Sequence, residues 1–165
     1  MMVANILITG ATGSLGSKLS QKLSKLGHIV YAVGRSENKL KTLSVLNQNI
    51  KPILYDISDK EVNTILKEQS IDYVIHAAAL KHVGFCEDYP LYSCNTNING
   101  TVNILQICNL LKIKNAIFIS TDKAVEPKCI YGLTKAIGEK LFLSGGYKVF
   151  RGVNFLNSNG SVLDI

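Results

Sequence analysis

Six short apolar runs alternate with longer amphipathic stretches along the chain, and this alternation restricts the fold more than any other feature of the sequence. The apolar runs, which predict strands, are residues 3–9, 29–33, 50–55, 72–76, 116–120 and 147–151. The predicted helices are residues 14–26, 38–46, 59–69, about 92–111 and 131–143. Strands rich in Val, Ile and Leu that are joined through helices are typical of parallel βαβ units. We therefore expect an α/β fold with a doubly wound parallel sheet of about six strands and helices on both faces.

The third predicted strand differs from the others because Pro52 stands near its start. Proline cannot donate a hydrogen bond to a neighbouring strand, so within sheets it occurs at edges and at strand ends. We therefore expect this strand to lie at an edge of the sheet or to have its end near the proline.

Composition limits the classes of protein to which the chain can belong. Its 165 residues suit a single domain, and 47% hydrophobic with 18% charged residues is a globular composition. The net charge of +6 comes from scattered lysines without a run of five or more basic residues. We therefore expect a solubilising basic surface and no nucleic-acid partner.

Membrane, secretory and metal-binding signals are missing from the sequence. No stretch reaches the roughly 18 uninterrupted apolar residues of a membrane span, and no basic region precedes the first apolar run, as it would in a signal peptide. None of the four cysteines forms a Cys-x-x-Cys pair, so we expect inert thiols and no metal site. Isolated thiols suit a reducing cytoplasm, which is the location we expect.

A glycine-rich turn, residues 9–16, joins the first strand to the first helix. Its three glycines, each three residues apart, allow a tight turn, a close approach of the backbone to a pyrophosphate, and close packing of the helix on the strand. The N-terminus of the helix then offers its N–H groups and the positive end of its dipole to phosphate. We expect nucleotide binding here, the alternative being a turn that only packs. The predicted contacts come from Gly10, Thr12, Gly13, Ser14, Leu15 and Gly16.

The end of the second strand indicates which dinucleotide would bind. NAD-binding proteins usually place Asp or Glu there to hold the ribose 2′-hydroxyl, whereas this chain has Arg35, a cation suited to a 2′-phosphate. We therefore favour NADP, with NAD as the alternative because Glu37 lies two residues later, and Arg35 is otherwise a solvated surface residue. Asp56 and Ile57, after the third strand, are expected to border the adenine, although Asp56 is equally suited to cap a helix.

Tyr131 and Lys135 are one helical turn apart on the same face of a predicted helix. A neighbouring ammonium favours the phenolate and would lower the pKa of Tyr131, making it a usable general base for a hydroxyl. The same Lys135 is placed to hold the nicotinamide ribose.

Thr121, Asp122 and Lys123 follow the fifth strand, at the edge of the sheet where ligands bind in such folds. Thr121 is suited to hydrogen-bond a sugar hydroxyl. Asp122 and Lys123, an acid beside an amine, are suited to protonate a leaving hydroxyl and to remove a proton from carbon. The alternative is an ion pair on a surface loop.

The chain resembles the extended short-chain dehydrogenase/reductases that act on nucleotide sugars. Within that group it is most similar to the inverting UDP-N-acetylglucosamine 4,6-dehydratases and the related epimerases of polysaccharide biosynthesis. The segments that carry the resemblance are the glycine turn 8–16, residues 76–87 with the stretch AALKHV, residues 96–103, residues 120–127 with the stretch STDKAV, and residues 131–142. The resemblance implies a Rossmann-like fold over nearly the whole chain.

The resemblance also implies roles for individual residues. Ala77, Ala79 and Lys81 would line the cofactor beside the fourth strand, and Lys81, Thr121 and Asn154 would contact the nucleotide sugar. Tyr131 would take the proton of the sugar C4 hydroxyl while a hydride passes to NADP. Lys123 would then remove the proton at C5, Asp122 would protonate the departing C6 hydroxyl, and the hydride would return to C6.

The C-terminal part departs from the family pattern. Residues 151–162 resemble a family segment whose order is disturbed, which leaves the alignment of Asn154 uncertain. Relatives would continue for about as many residues again, forming the lobe that grips the UDP-sugar. We therefore expect residues 1–152 to form an NADP-binding domain and residues 153–165 to be a loop that starts a truncated substrate-binding region. We expect cofactor binding to survive and turnover by this chain alone to be weak, because remote substrate contacts supply much of the binding energy.

The resemblance also implies a homo-oligomer, because helices 92–111 and 131–143 pair across dimers in this superfamily and would then carry apolar outer faces. Two alternatives to the dehydratase are a UDP-sugar 4-epimerase and a non-catalytic NADP-binding module. A small reductase that uses the same Tyr131 and Lys135 is a further alternative, which the match at Asp122 and Lys123 disfavours.

Overall fold

A computed structural model describes residues 2–153 of the chain. Six parallel strands form one sheet in the order β3-β2-β1-β4-β5-β6. The strands are β1 (Asn5–Thr9), β2 (Ile29–Gly34), β3 (Ile50–Leu54), β4 (Tyr73–His76), β5 (Asn115–Thr121) and β6 (Lys148–Gly152). The predicted fold class is confirmed, and so is the edge position of the strand that contains Pro52.

Helices pack on both faces of this sheet. They are α1 (Ser14–Lys25), α2 (Glu37–Leu46), α3 (Val62–Leu66), α4 (Val83–Asp88), α5 (Pro90–Cys94), α6 (Gly100–Leu110) and α7 (Ile130–Ser144). A π-helical turn, Asn95–Asn99, joins α5 to α6 without a break, and a 3₁₀ turn, Asp122–Ala124, follows β5. Within the described residues, no helix has both the length and the apolar character needed to cross a membrane.

Two hydrophobic clusters fill the space between the helices and the sheet. The smaller cluster lies between strands β1 to β3 and the helices α1 and α2, and includes Ile8, Val30 and Leu40. The larger cluster lies on the opposite face, below α3, α6 and α7, and includes Phe118 and Phe142. Because both faces of β1 and β2 are covered, these strands are apolar along nearly their whole length, as parallel strands usually are.

Among the described residues, helices cover only one face of the second half of the sheet, strands β4 to β6. Along β4 and β5 the residues that face α6 and α7 are buried, whereas the alternate residues Ile75, Ile117 and Ile119 are only partly buried. At the rim of this open face, Tyr73 and Phe150 are 45% and 48% exposed. The open face explains why β6 carries an exposed apolar residue, Phe150, although it lies in a parallel sheet.

The helices differ from the sequence prediction between β3 and β5. The helix predicted over residues 59–69 is shortened to α3, because Asp59 caps an earlier turn by accepting a hydrogen bond from the Glu61 N–H. The predicted helix 92–111 begins two residues earlier, at Pro90, which is favoured in the first turn. The prediction lacked α4, whose buried side is Cys86 alone and which therefore has too little apolar periodicity to be recognised.

Candidate active site

A cleft of about 760 Å³ lies at the carboxyl ends of the strands, where β1 and β4 lie side by side and the strand order reverses. Nearly all the predicted cofactor and catalytic residues line it. These are Gly10, Thr12, Gly13, Ser14, Leu15, Gly16, Arg35, Asp56, Ile57, Ala77, Ala79, Lys81, Thr121, Lys123, Tyr131 and Lys135. Asp122 lies beside the cleft next to Lys123, and Asn154 lies outside the described residues.

The glycine turn leaves β1 with a backbone conformation that other residues rarely adopt. Gly10 has a φ of +67°, and a Cβ atom there would lie 2.7 Å from the Ala78 backbone nitrogen, so only glycine fits against the end of β4. At Gly16 a Cβ would collide with the Gly10 carbonyl oxygen, so this glycine lets α1 pack closely on the turn. The first turn of α1 contains no acidic residue, and its positive dipole end faces the cleft. This arrangement suits an anion such as a pyrophosphate.

Arg35 stands at one end of the cleft and contacts two side chains. Its Nη1 donates a hydrogen bond of 2.9 Å to the Tyr92 hydroxyl and lies 3.4 Å from Asp56 Oδ2. The Lys39 side chain, in the first turn of α2, also lines the cleft. Sequence reasoning missed Lys39, although a second basic residue four positions after Arg35 was a usable signal.

Asp56 caps a turn and lines the cleft, and its expected position beside the adenine stays a prediction. Its Oδ1 accepts hydrogen bonds from the Ser58 N–H and hydroxyl, so it caps the turn after β3, and it also lines the cleft. Burial opposes ionisation, but the Ser58 hydrogen bonds and the Arg35 charge together lower the pKa of Asp56 below its usual value. Asp56 is therefore a carboxylate that partly neutralises Arg35.

Tyr131 lies in the first turn of α7, where Cys129 caps the helix by accepting a hydrogen bond from the Gly132 N–H. Burial raises the pKa of Tyr131 above its ordinary value, outweighing a hydrogen bond with Thr121 that lowers it. The predicted lowering of this pKa by Lys135 is therefore wrong. The reason is that both side chains are largely removed from water, which disfavours the phenolate.

Lys135 is buried, with 2% of its surface exposed, and its ammonium lies 3.8 Å from the centre of the Phe118 ring. Burial lowers the pKa of Lys135 to about 7, and the nearby charge of Glu139 opposes that shift. The aromatic face supplies a cation–π contact in place of water. Lys135 thus changes its charge near neutral pH, a property that buried lysines in functional sites share.

Thr121, Asp122 and Lys123 form a compact polar cluster after β5. Thr121 Oγ1 donates a hydrogen bond of 2.8 Å to Asp122 Oδ1, and Lys123 Nζ lies 3.5 Å from the same oxygen. The Thr121 hydrogen bond, assisted by the Lys123 charge, lowers the pKa of Asp122. Asp122 and Lys123 are exposed while Thr121 is buried, so the ion pair is in contact with solvent beside the cleft.

Comparison with known proteins assigns the chain to a family. Residues 6–165 match the family model described as "Polysaccharide biosynthesis protein". The chain belongs to this family. The sequence resemblance to nucleotide-sugar enzymes of the short-chain dehydrogenase/reductase group is confirmed by its relatives.

Relatives of this polysaccharide biosynthesis family member carry two different enzyme names. A UDP-N-acetylglucosamine 4,6-dehydratase (inverting) from Campylobacter jejuni is 36% identical over 172 residues, which cover 96% of this chain and 51% of that protein. A UDP-glucose 4-epimerase from Rickettsia bellii is 35% identical over 175 residues, covering 97% of this chain and 51% of the epimerase. The X-ray structure of Pen from Bacillus thuringiensis has a TM-score of 0.90 at 32% identity, over 98% of this chain and 54% of that one. The chain therefore spans about half the length of the curated relatives it matches.

A buried asparagine that sequence reasoning missed joins three elements of the family member's site. Asn97, in the π-helical turn, accepts a hydrogen bond from the Leu80 N–H at 2.8 Å and donates to the Leu80 carbonyl at 3.0 Å. Its amide also donates to Thr134 Oγ1 on α7 at 3.0 Å. Asn97 thus fixes the loop after β4 relative to the helix that carries Tyr131. Helical turns of the π type often occur at functional sites.

A second buried chain of hydrogen bonds passes through His76. Thr101 Oγ1 donates to the Asn97 carbonyl at 2.6 Å, so it accepts from His76 Nε2 at 3.0 Å. The other ring nitrogen, Nδ1, then accepts from Thr9 Oγ1 at 2.6 Å, and Thr9 Oγ1 accepts from the Ala78 N–H. Burial lowers the pKa of His76 to about 3, so the ring is neutral. These bonds hold the start of the glycine turn against the end of β4.

Proposed function

We propose that this family member binds NADP and acts in the 4,6-dehydration of a UDP-N-acetylglucosamine-like nucleotide sugar. The observation that carries the proposal is that one cleft holds the Tyr131–Lys135 pair together with Lys123, with Asp122 beside it. A simple hydroxyl oxidation needs only the first pair. The second pair supplies an acid and a base for a step after the oxidation, which favours a dehydratase.

The cleft suits a dinucleotide with an extra phosphate. The close approach at Gly10 leaves room for a pyrophosphate beside the N-terminus of α1, and Arg35 with Lys39 offers two cations at the expected position of the 2′-phosphate. In this proposal Lys135, one turn after Tyr131 on α7, holds the nicotinamide ribose. When bound, NADP supplies a reversible hydride acceptor. NAD is the alternative cofactor, because Asp56 partly neutralises Arg35.

In the proposed reaction Tyr131 takes the proton of the C4 hydroxyl while the hydrogen on C4 would leave as a hydride to the cofactor, and the resulting ketone acidifies the proton on C5. Lys123 removes that proton as a neutral amine, and Asp122 gives a proton to the C6 hydroxyl, which departs as water. Return of the hydride to C6 and of a proton to C5 would complete the 4-keto-6-deoxy sugar and leave the cofactor unchanged. The pair as described holds Lys123 ammonium against Asp122 carboxylate. The reactive form of the pair is a neutral Lys123 amine beside a protonated Asp122. It arises when one proton moves from Lys123 Nζ to Asp122 Oδ1, which are 3.5 Å apart. Exclusion of water by a bound sugar favours this neutral form.

We infer that residues 1–152 form the NADP-binding domain and that residues 153–165 begin a substrate-binding region. The match covers 51% of the dehydratase and 51% of the epimerase. A 4-epimerase is the second candidate, because a UDP-glucose 4-epimerase matches the chain as well as the dehydratase does. An epimerase would use Tyr131 and Lys135 without needing Asp122 or Lys123.

The discriminating experiment incubates the purified chain with NADP and UDP-N-acetylglucosamine and identifies the sugar product by mass and NMR. A 4-keto-6-deoxy product supports the dehydratase, and the Lys123→Ala variant is then expected to retain C4 oxidation while losing dehydration. A product inverted only at C4 identifies an epimerase, whose rate Lys123→Ala should leave nearly unchanged. Binding of NADP with no product from either route supports a cofactor-binding module.

A further inference from the structure

Three charged side chains, those of Lys135, Glu139 and Arg151, lie next to one another beside the cleft, and the proposed reaction uses only Lys135. Lys135 and Glu139 are one turn apart on α7, and both are buried, with 2% and 4% of their surface exposed. Arg151, on β6, reaches Glu139 from the sheet. Burying a carboxylate costs free energy of folding unless its charge is paired and hydrogen-bonded.

Arg151 binds Glu139 through two parallel hydrogen bonds. Its Nε donates to Oε1 at 2.8 Å and its Nη2 donates to Oε2 at 2.6 Å. These bonds are the main cause that lowers the pKa of Glu139, so Glu139 is an anion at neutral pH. Among the described residues Lys135 has no ion pair within 4.0 Å, so both oxygens of Glu139 are engaged by Arg151 and not by Lys135.

The remaining groups around Lys135 offer it little negative charge. On β4, His76 is neutral, and on β5, Phe118 presents the face of its ring to the ammonium. On α7, Tyr131 is protonated because burial raises its pKa. In the 3₁₀ turn that packs on α7, Asp122 and Lys123 pair with each other. Glu139 is the neighbouring charge that opposes the loss of the Lys135 proton.

We propose that Glu139 is a positioning residue that sets the charge of Lys135, and that Arg151 limits how much of the Glu139 charge Lys135 experiences. The meaning of this arrangement for catalysis rests on the proposed function, because there Lys135 assists Tyr131. Arg151 is half exposed and is followed by Gly152 and Val153, which line the cleft.

Two substitutions in the same ion pair should move Lys135 in opposite directions. Glu139→Gln removes the negative charge and should lower the titration midpoint of Lys135 by about one pH unit. Arg151→Met removes the competing cation, leaves Glu139 acting on Lys135 alone, and should raise the midpoint by a similar amount. If the ion pair were only structural, loss of either partner would destabilise the fold alike and would not give shifts of opposite sign.

The measurement is NMR of the chain labelled with carbon-13 at lysine Cε, titrated from pH 5 to 11 without cofactor or sugar. In the unsubstituted chain one lysine should titrate near pH 7, and Lys135→Met should remove that signal, which assigns it. Glu68→Gln, a substitution at a residue exposed beside Lys67, is the matched control and should leave the midpoint unchanged. Shifts of opposite sign support the proposal, and shifts of the same sign or no shift in both variants overturn it.

If Glu139→Gln does not fold, Arg151→Met and Arg151→Lys decide the matter. A raised midpoint in Arg151→Met with a smaller rise in Arg151→Lys supports the proposal, and an unchanged or lowered midpoint in Arg151→Met overturns it. Because no ligand is present, the outcome is independent of the proposed function. Failure of NADP to bind would refute that function while leaving the titration of Lys135 interpretable.

Discussion

Replacing Lys135 by Met should stabilise the fold at and below neutral pH. Lys135 is buried, and burial lowers its pKa to about 7 in the folded chain against the ordinary 10.5. Methionine has a similar length, carries no charge, and its sulfur packs well against an aromatic ring such as Phe118. The substitution therefore removes a desolvated ammonium without opening a large cavity.

The size and sign of the effect follow from the two pKa values. Between pH 7 and 10.5 the unfolded chain holds a proton on Lys135 that the folded chain has released, so the free energy of unfolding rises with pH over this interval. One pKa unit corresponds to about 1.4 kcal/mol, so the full interval amounts to about 5 kcal/mol as an upper value. Lys135→Met lacks this dependence. Its advantage should be largest below pH 7 and should fade as the pH approaches 10.

Urea unfolding of both proteins at pH 6, 7, 8 and 9 measures this difference directly. Other titrating groups are common to the two proteins, so their contributions cancel in the difference. A difference in unfolding free energy that stays constant across this range would mean that Lys135 has an ordinary pKa and is not desolvated, contrary to this prediction. Lys135→Met should also bind the cofactor less well, because residues that serve a functional site often reduce the stability of the fold.

Three further substitutions test other parts of the site. Gly10→Ala forces a residue with a side chain into a left-handed backbone conformation and against Ala78, so it should lower the free energy of unfolding by about 2 kcal/mol or more. It should lower the melting temperature by about 4–8 °C in calorimetry and abolish NADP binding. Arg35→Ala should weaken NADP binding at least tenfold in a titration while changing NAD affinity little; equal losses would show that Arg35 does not read the 2′-phosphate. Asn97→Ala removes three hydrogen bonds and should cost about 2–4 kcal/mol in urea unfolding, and a loss below 0.5 kcal/mol would contradict the joining role of Asn97.

The features predictable from sequence are those fixed by local chemistry. Strand and helix alternation, the edge position of Pro52 and the glycine turn each follow from a few adjacent residues, and all three match the structure. The pairing of Tyr131 and Lys135 on one helix face follows from their spacing alone. These predictions succeeded because the physical cause lies within one or two turns of chain.

The features that escaped prediction depend on contacts between distant segments. Asn97 joins Leu80 to Thr134, and no local pattern distinguishes this asparagine from a surface one. The direction of the pKa shift at Tyr131 depends on burial by the folded chain, so the spacing to Lys135 predicted the wrong sign. The open face of β4, β5 and β6 likewise becomes visible only once the helices are assigned to their sides of the sheet.

Isothermal titration of the unsubstituted chain with NADP and with NAD, using Gly10→Ala as the control, shows whether the cleft is a site for NADP. We expect that one dinucleotide binds per chain, that NADP binds more tightly than NAD, and that the control binds neither. A chain that binds neither dinucleotide while remaining folded would contradict the claim.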